Sequence, residues 1–194
     1  MEWMLTNYIE IIAAVLGVAG VWLTTKQIIW CWPVGLLNVI LSIIVFFNSK
    51  LYADVTLQIF YLIMTLYGWY NWLWGGISKN HLPVRKIVKQ EIVIMLLAGI
   101  IFSFVVGFLF SEYTDAALPY IDSFVAVWGV IATYAMAKKI TENWIMWIII
   151  DAVCVGIYFY KELYAFTALY FVFVVLAVYG LIEWKKELRK ILSE

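Results

Sequence analysis

Apolar residues fill this chain in long runs that neither alternate like a strand nor leave a polar face like a surface helix. A helix crossing the hydrocarbon core of a bilayer takes about 20 such residues. Seven runs come to that length, near 8–25, 28–48, 54–75, 91–110, 121–138, 143–160 and 163–184, and the pattern predicts seven transmembrane helices. The main polar interruption is GGISKNHLPVRKIVKQ, residues 75–90, where glycine, proline and basic side chains cluster, and it reads as a solvated loop. No basic region precedes the first run and no small-residue cleavage site follows it, so that helix is expected to stay in the protein.

A second pattern emerges when the sequence is slid along itself. At an offset of 112 residues, without a gap, Trp32 falls on Trp144 and Phe47 on Phe159. Leu51, Tyr52, Ala53 fall on Leu163, Tyr164, Ala165, and Tyr67, Gly68, Trp72 on Tyr179, Gly180, Trp184. Gly17 and Lys26 meet Gly129 and Lys138 in the same register. Fifteen of the sixty-five positions in 10–74 match 122–186, about three times what this composition gives by chance. Span one thus maps onto span five, and span four is left as a connector. An odd connector restores chain direction, so the two three-helix units are expected to run parallel about an axis along the membrane normal. This is a 3+1+3 all-α integral membrane fold. Residues 1–75 form the first repeat, 76–111 a cytoplasmic loop and connector helix, and 112–194 the second repeat and a cytoplasmic tail.

Composition agrees with a bilayer protein, at 66% hydrophobic and 13% charged residues. Acidic and basic side chains balance, so no field points to nucleic acid or an acidic substrate. The basic residues do not sort evenly. Lys26, Lys79, Arg85, Lys86, Lys89, Lys138, Lys139, Lys185, Lys186, Arg189 and Lys190 fall on one side, and Lys50 and Lys161 on the other. By the positive-inside rule the N-terminus is outside and the C-terminus, a solvated charged tail, is cytoplasmic. Cys31 and Cys154 lie inside apolar runs and read as buried thiols without a disulfide. There is no Walker loop, dinucleotide glycine pattern or metal-ligand cluster, and the single histidine, His81, sits in the loop. No cofactor, metal or nucleotide-driven step is expected, and no acid-base or nucleophile set suggests an enzyme.

Polar side chains in hydrocarbon are costly and serve either as glue between helices or as part of a pathway. Span three carries Asp54, Gln58, Tyr61 and Thr65 on one face. Either this is a packing seam, or Gln58 offers its amide to an uncharged polar ligand. Span six carries Trp144, Trp147, Asp151, Cys154 and Tyr158 at helical spacing. Asp151, near mid-span, either serves a ligand or pairs with Asn38 or a tyrosine hydroxyl. The tryptophans offer flat faces for an aromatic or cationic ring, although Trp144 also fits an interfacial belt. Asn38 shares a face with Ser42 in span two and falls one step from Asp151 in the repeat register. Pro33 and Gly35 either loosen the start of span two or simply begin it.

The segments WPVGLLN (32–38), LYADVTLQIFY (51–61), YGWYNW (67–72) and the W-x-x-W before Asp151 resemble the PnuC family of bacterial vitamin transporters, over nearly the whole chain. The resemblance implies a 3+1+3 fold similar to SWEET sugar transporters and a homotrimer in the bacterial inner membrane. It also implies facilitated diffusion of nicotinamide riboside or a related vitamin, trapped afterwards by a cytoplasmic kinase. Carried over residue by residue, Asn38, Gln58, Trp144 and Trp147 would contact the substrate with Asp151 beside it, and Tyr61 joins them from the same stripe as Gln58. Thiamine or riboflavin is the alternative cargo. A non-transporting membrane scaffold is the alternative of another class, and it would tolerate loss of Gln58 and Asp151.

Overall fold

The computed structural model describes residues 2–48, 50, 52–76, 82–114 and 117–193, so Lys79, His81 and Leu51 of the sequence patterns lie outside the described residues. Among the described residues there are seven helices. These are α1 (Glu2–Thr25), α2 (Cys31–Asn48), α3 (Tyr52–Trp74), α4 (Lys89–Tyr113), α5 (Pro119–Ala137), α6 (Asn143–Tyr160) and α7 (Tyr164–Ser193). Five of them, α2 and α4 to α7, are long and apolar enough to cross a membrane. In α1 the segment Ile11–Thr25 is apolar, and α3 is interrupted by Asp54, Gln58, Thr65 and Asn71.

The helices end by a shared device. After α1, the Gln27 amide bonds Thr24 O (3.0 Å) and the Ile28 amide bonds Leu23 O (3.0 Å), with Gln27 in the left-handed region at φ 57°. After α5, Lys139 and Ile140 bond Met136 O and Ala135 O (both 2.9 Å), with Lys139 at φ 51°. These are Schellman caps, which satisfy the orphan carbonyls of a helix end. Lys50 (φ 60°) and Glu162 (φ 59°) repeat the left-handed turn after α2 and α6. Each pair is separated by 112 residues.

Side-chain packing follows the same offset. Trp32 meets Trp72 edge-on at 5.3 Å and 87°, and Trp144 meets Trp184 at 5.5 Å and 89°. Phe47 meets Tyr52 at 6.1 Å, and Phe159 meets Tyr164 at 6.2 Å. Gly68 is needed for the close approach of Trp32, because a Cβ there would clash with the outer edge of the indole ring. Gly180 does the same for Trp144, whose ring would lie 2.6 Å from an added Cβ.

Between the helix triplets α1–α3 and α5–α7 the contacts are exchanged. Helix α1 packs on α7 as α5 packs on α3. The Trp72 indole N–H donates to Met136 O (3.2 Å), and that of Trp184 to Thr24 O (3.2 Å). Lys26 lies over the Tyr179 ring (4.7 Å) and Lys138 over the Tyr67 ring (5.5 Å). Gln27 and Lys139 meet each other, the Lys139 ammonium donating to Gln27 Oε1 at 3.0 Å. Trp72 and Trp184 touch at 6.0 Å, so four buried indoles form one cluster across the join.

Helix α4 stands apart and packs on α5, where Gly99 accommodates Trp128 and Gly107 accommodates Tyr120 and Ser123. Small residues permit such close helix contacts where lipid supplies no hydrophobic drive. The described part of the segment expected to be a solvated loop is instead pinned. Arg85 N donates to Lys139 O (3.0 Å), Thr141 N donates to Arg85 O (2.9 Å), and Ile87 N donates to Glu142 Oε2 (2.9 Å). Arg85 also forks onto both Glu91 oxygens, at 2.8 and 2.6 Å, and Val84 is buried at 3% exposure. The backbone polar groups at the α5–α6 turn supply this docking, which hydropathy alone does not register.

Candidate functional site

A cavity of about 320 Å³ lies between the two triplets. The six expected residues all line it: Asn38 from α2, Gln58 and Tyr61 from α3, and Trp144, Trp147 and Asp151 from α6. Helical spacing explains the grouping. Gln58, Tyr61 and Thr65 share one face of α3, and Trp144, Trp147 and Asp151 one face of α6.

The alternatives left open for several residues are decided by their surroundings. Trp144 is 2% exposed against Trp184, so it is a wall residue and not part of an interfacial belt. Asn38 donates its amide to Ala13 O at 2.5 Å, which fixes the side chain to α1 rather than to Asp151. Pro33 and Gly35 stand in the first turns of α2, which begins at Cys31, and Gly35 lines the cavity. A Cβ at Gly35 would touch only Thr65, at 4.0 Å. Asp151 is 5% exposed and, among the described residues, has no hydrogen bond or ion pair. Its electrostatic neighbours include Tyr61, Tyr170 and Cys154. Gln58 and Tyr61 likewise keep their polar ends free of hydrogen bonds among the described residues, whereas the Thr24 and Thr133 hydroxyls bond back to Gly20 O and Gly129 O (2.8 Å each). The cavity therefore offers an amide, a phenol and a carboxyl that packing has not used.

Sequence reasoning missed the α7 wall. Tyr170 and Phe173 face the cavity, and Tyr170 stacks on Tyr158 at 5.1 Å and 27°. They are the offset-112 partners of Gln58 and Tyr61. The repeat register, applied to those two candidates, would have found them. The basic end of the molecule is closed by the four indoles and by Lys139, whose ammonium lies 4.4 Å from the Trp72 ring. Burial brings that lysine down from its usual 10.5 to about 8.

A family model for the nicotinamide mononucleotide transporter matches residues 7–186. The chain belongs to this family. It is a multi-pass transporter of the bacterial inner membrane and not an enzyme. Among curated proteins it is 28% identical to the nicotinamide riboside transporter PnuC of Escherichia coli, over 95% of this chain and 87% of that one. It is 27% identical to the riboflavin/roseoflavin transporter RibM of Streptomyces davaonensis, over 90% and 83%. The fold is that of a crystal structure of the vitamin B3 transporter PnuC, with a TM-score of 0.76 at 20% identity, covering 95% of this chain and 83% of the other.

Proposed function

We propose that the chain carries a vitamin nucleoside, nicotinamide riboside first, into the cytoplasm by facilitated diffusion through the cavity between its triplets. The observation that carries this is the convergence of Asn38, Gln58, Tyr61, Trp147 and Asp151 on one cavity between two halves whose contacts are exchanged. Two matched halves flanking a central site suit alternating access by rocking. In this reading α1–α3 and α5–α7 are parallel repeats about an axis along the membrane normal, α4 is the connector, and all seven helices span the bilayer. The division at 1–75, 76–111 and 112–194 and the SWEET-like 3+1+3 arrangement belong to the same proposal. The collected basic residues support an outside N-terminus and a cytoplasmic C-terminus. A homotrimer and a cytoplasmic kinase that traps the substrate complete it, as the resemblance implies.

Riboflavin is the second reading, because RibM is nearly as similar to this chain as PnuC is. The cavity, about 320 Å³, lies at the small end of the roughly 300–1,000 Å³ typical of ligand sites, which favours a one-ring nucleoside over a three-ring flavin. Proteoliposomes containing the protein should take up labelled nicotinamide riboside until inside and outside are equal, then stop. Accumulation above the outside level under an imposed proton or sodium gradient would show the passive mechanism wrong, and uptake of riboflavin alone would shift the cargo to the flavin.

A further inference from the structure

The charge inside the cavity is one-sided. Its lining contains Asp151 and no lysine, arginine or histidine. Asp151 is 5% exposed and without a hydrogen bond or ion pair among the described residues. Its offset-112 counterpart, Val39, lines the opposite wall, so the carboxyl belongs to one half only. Beyond it, at the end that also carries Lys50 and Lys161, Asp54 and Asp122 are electrostatic neighbours of each other and of Tyr158.

An unpaired buried carboxylate is unfavourable unless a counter-charge or hydrogen-bond donor reaches it. Nothing in the walls supplies a cation, and Asn38 is already tied to Ala13. The Tyr61 phenol and the Gln58 amide are neutral donors in the same walls, so the ligand is the remaining source of a counter-charge. Trp147, Tyr61 and Tyr170 surround the same space, and aromatic faces attract a delocalised cation without competing for a proton. A phosphate or carboxylate on the ligand would meet Asp151 with no basic residue to offset the repulsion.

We propose that the cavity selects ligands carrying a permanently cationic heterocycle, with Asp151 as the counter-ion, and rejects neutral and anionic relatives of the same shape. This rests on the transporter reading and narrows it, since it places a pyridinium riboside or thiazolium inside the class and a flavin or a mononucleotide outside it. Asp151 then determines specificity by charge, while Gln58 reads the uncharged polar part of the ligand.

The test is calorimetric binding to the purified full-length protein. Nicotinamide riboside, a cation, is compared with its dihydro form, which is neutral and keeps the ribose and carboxamide, and with the mononucleotide, which adds a phosphate. Thiamine and its neutral thiophene isostere, 3-deazathiamine, form a second cationic and neutral pair. The wild type should prefer each cation over its neutral counterpart by on the order of tenfold or more, the scale of one charge-assisted contact, and should not bind the mononucleotide. Asp151→Asn keeps the shape, and it should lose that preference while Gln58→Ala weakens cation and neutral form alike. Equal binding of cation and neutral form by the wild type overturns the proposal, and so does a preference that survives in Asp151→Asn. Binding of thiamine over its neutral thiophene isostere with no binding of either riboside would overturn the riboside reading and leave the charge selection standing. If the asparagine variant fails to fold, the two ligand pairs on the wild type still decide.

Discussion

The two helix triplets share a skeleton but not a surface. Where α1–α3 and α5–α7 pack, the same residues recur at offset 112: Trp32 and Trp144, Trp72 and Trp184, Gly68 and Gly180, with matched ring geometry. Where the triplets face the cavity, the residues part company. Gly35 stands opposite Trp147, Val39 opposite Asp151, Gln58 opposite Tyr170, Tyr61 opposite Phe173, and Thr65 opposite Ala177. Trp32 and Trp144 are the matched pair that both line the cavity and hold the packing. The difference teaches what each set does. In the proposed reading, two halves that pack and move alike keep equivalent joints, whereas a ligand with one ring and one polar end calls for unlike walls. The α3 wall supplies an amide and a phenol, and the α6–α7 wall supplies aromatic faces and a carboxyl.

If the skeleton is shared, equivalent substitutions in the two triplets should cost the same. Trp72→Ala and Trp184→Ala each remove a buried indole and its bond to the other triplet, and each should lower stability by about 3–5 kcal/mol. Gly156→Ala, with no neighbour near the added methyl, is the control. Thermal unfolding in detergent reads all three. A large loss in one triplet with tolerance in the other would mean that the two joints do not share the load.

Substitutions facing the cavity should divide the other way, with little change in stability and a clear loss of binding. Gln58→Ala and Trp147→Ala should each weaken the substrate by roughly 1–3 kcal/mol, or about five- to 150-fold, by leaving ligand groups unpaired or unstacked. Tryptophan fluorescence titration measures it for Gln58→Ala, and calorimetry for the tryptophan variant. Unfolding in parallel with lost binding would place these side chains in the skeleton instead.

Gln27 and Lys139 are equivalent positions that touch, so they report on the join itself. Gln27→Lys would set two ammonium groups against each other and should cost about 1–2 kcal/mol. The exchanged pair, Gln27→Lys with Lys139→Gln, should recover most of that. Failure of the exchange to recover stability would mean that the two sides of the join are not interchangeable. The buried lysine also sets a pH dependence. Its folded-state value, lowered to about 8 by burial, lies below the unfolded value, so between about pH 8 and 10.5 the unfolded chain holds the extra proton. Stability should rise with pH across that window, and Lys139→Gln should flatten the rise. Glu187 and the Cys31 thiol are the ionisable groups facing it. The smallest effect belongs to the turn after α6, where Glu162→Gly relieves a left-handed side chain at some loss of chain entropy and should raise stability by less than about 1 kcal/mol.

Much of this was legible from residue order. Apolar run length identified the helices, because a bilayer demands length and apolarity along one contiguous segment. Offset 112 identified equivalent positions, because a packing joint such as Trp against Gly tolerates few substitutes. Helical spacing then brought Gln58 with Tyr61 and Trp144 with Asp151 onto common faces. Tertiary structure decided what those faces meet. That Asn38 is tied to Ala13, that Trp144 is enclosed by Trp184, and that Tyr170 and Phe173 complete the cavity depends on contacts between distant helices. The docking of residues 82–88 on the α5–α6 turn was invisible for the same reason, since backbone hydrogen bonds at a turn leave little trace in side-chain pattern. Local periodicity is set by the geometry of one helix and can be read from one segment. The partner of a face is set by which surfaces come together, and no single segment carries that.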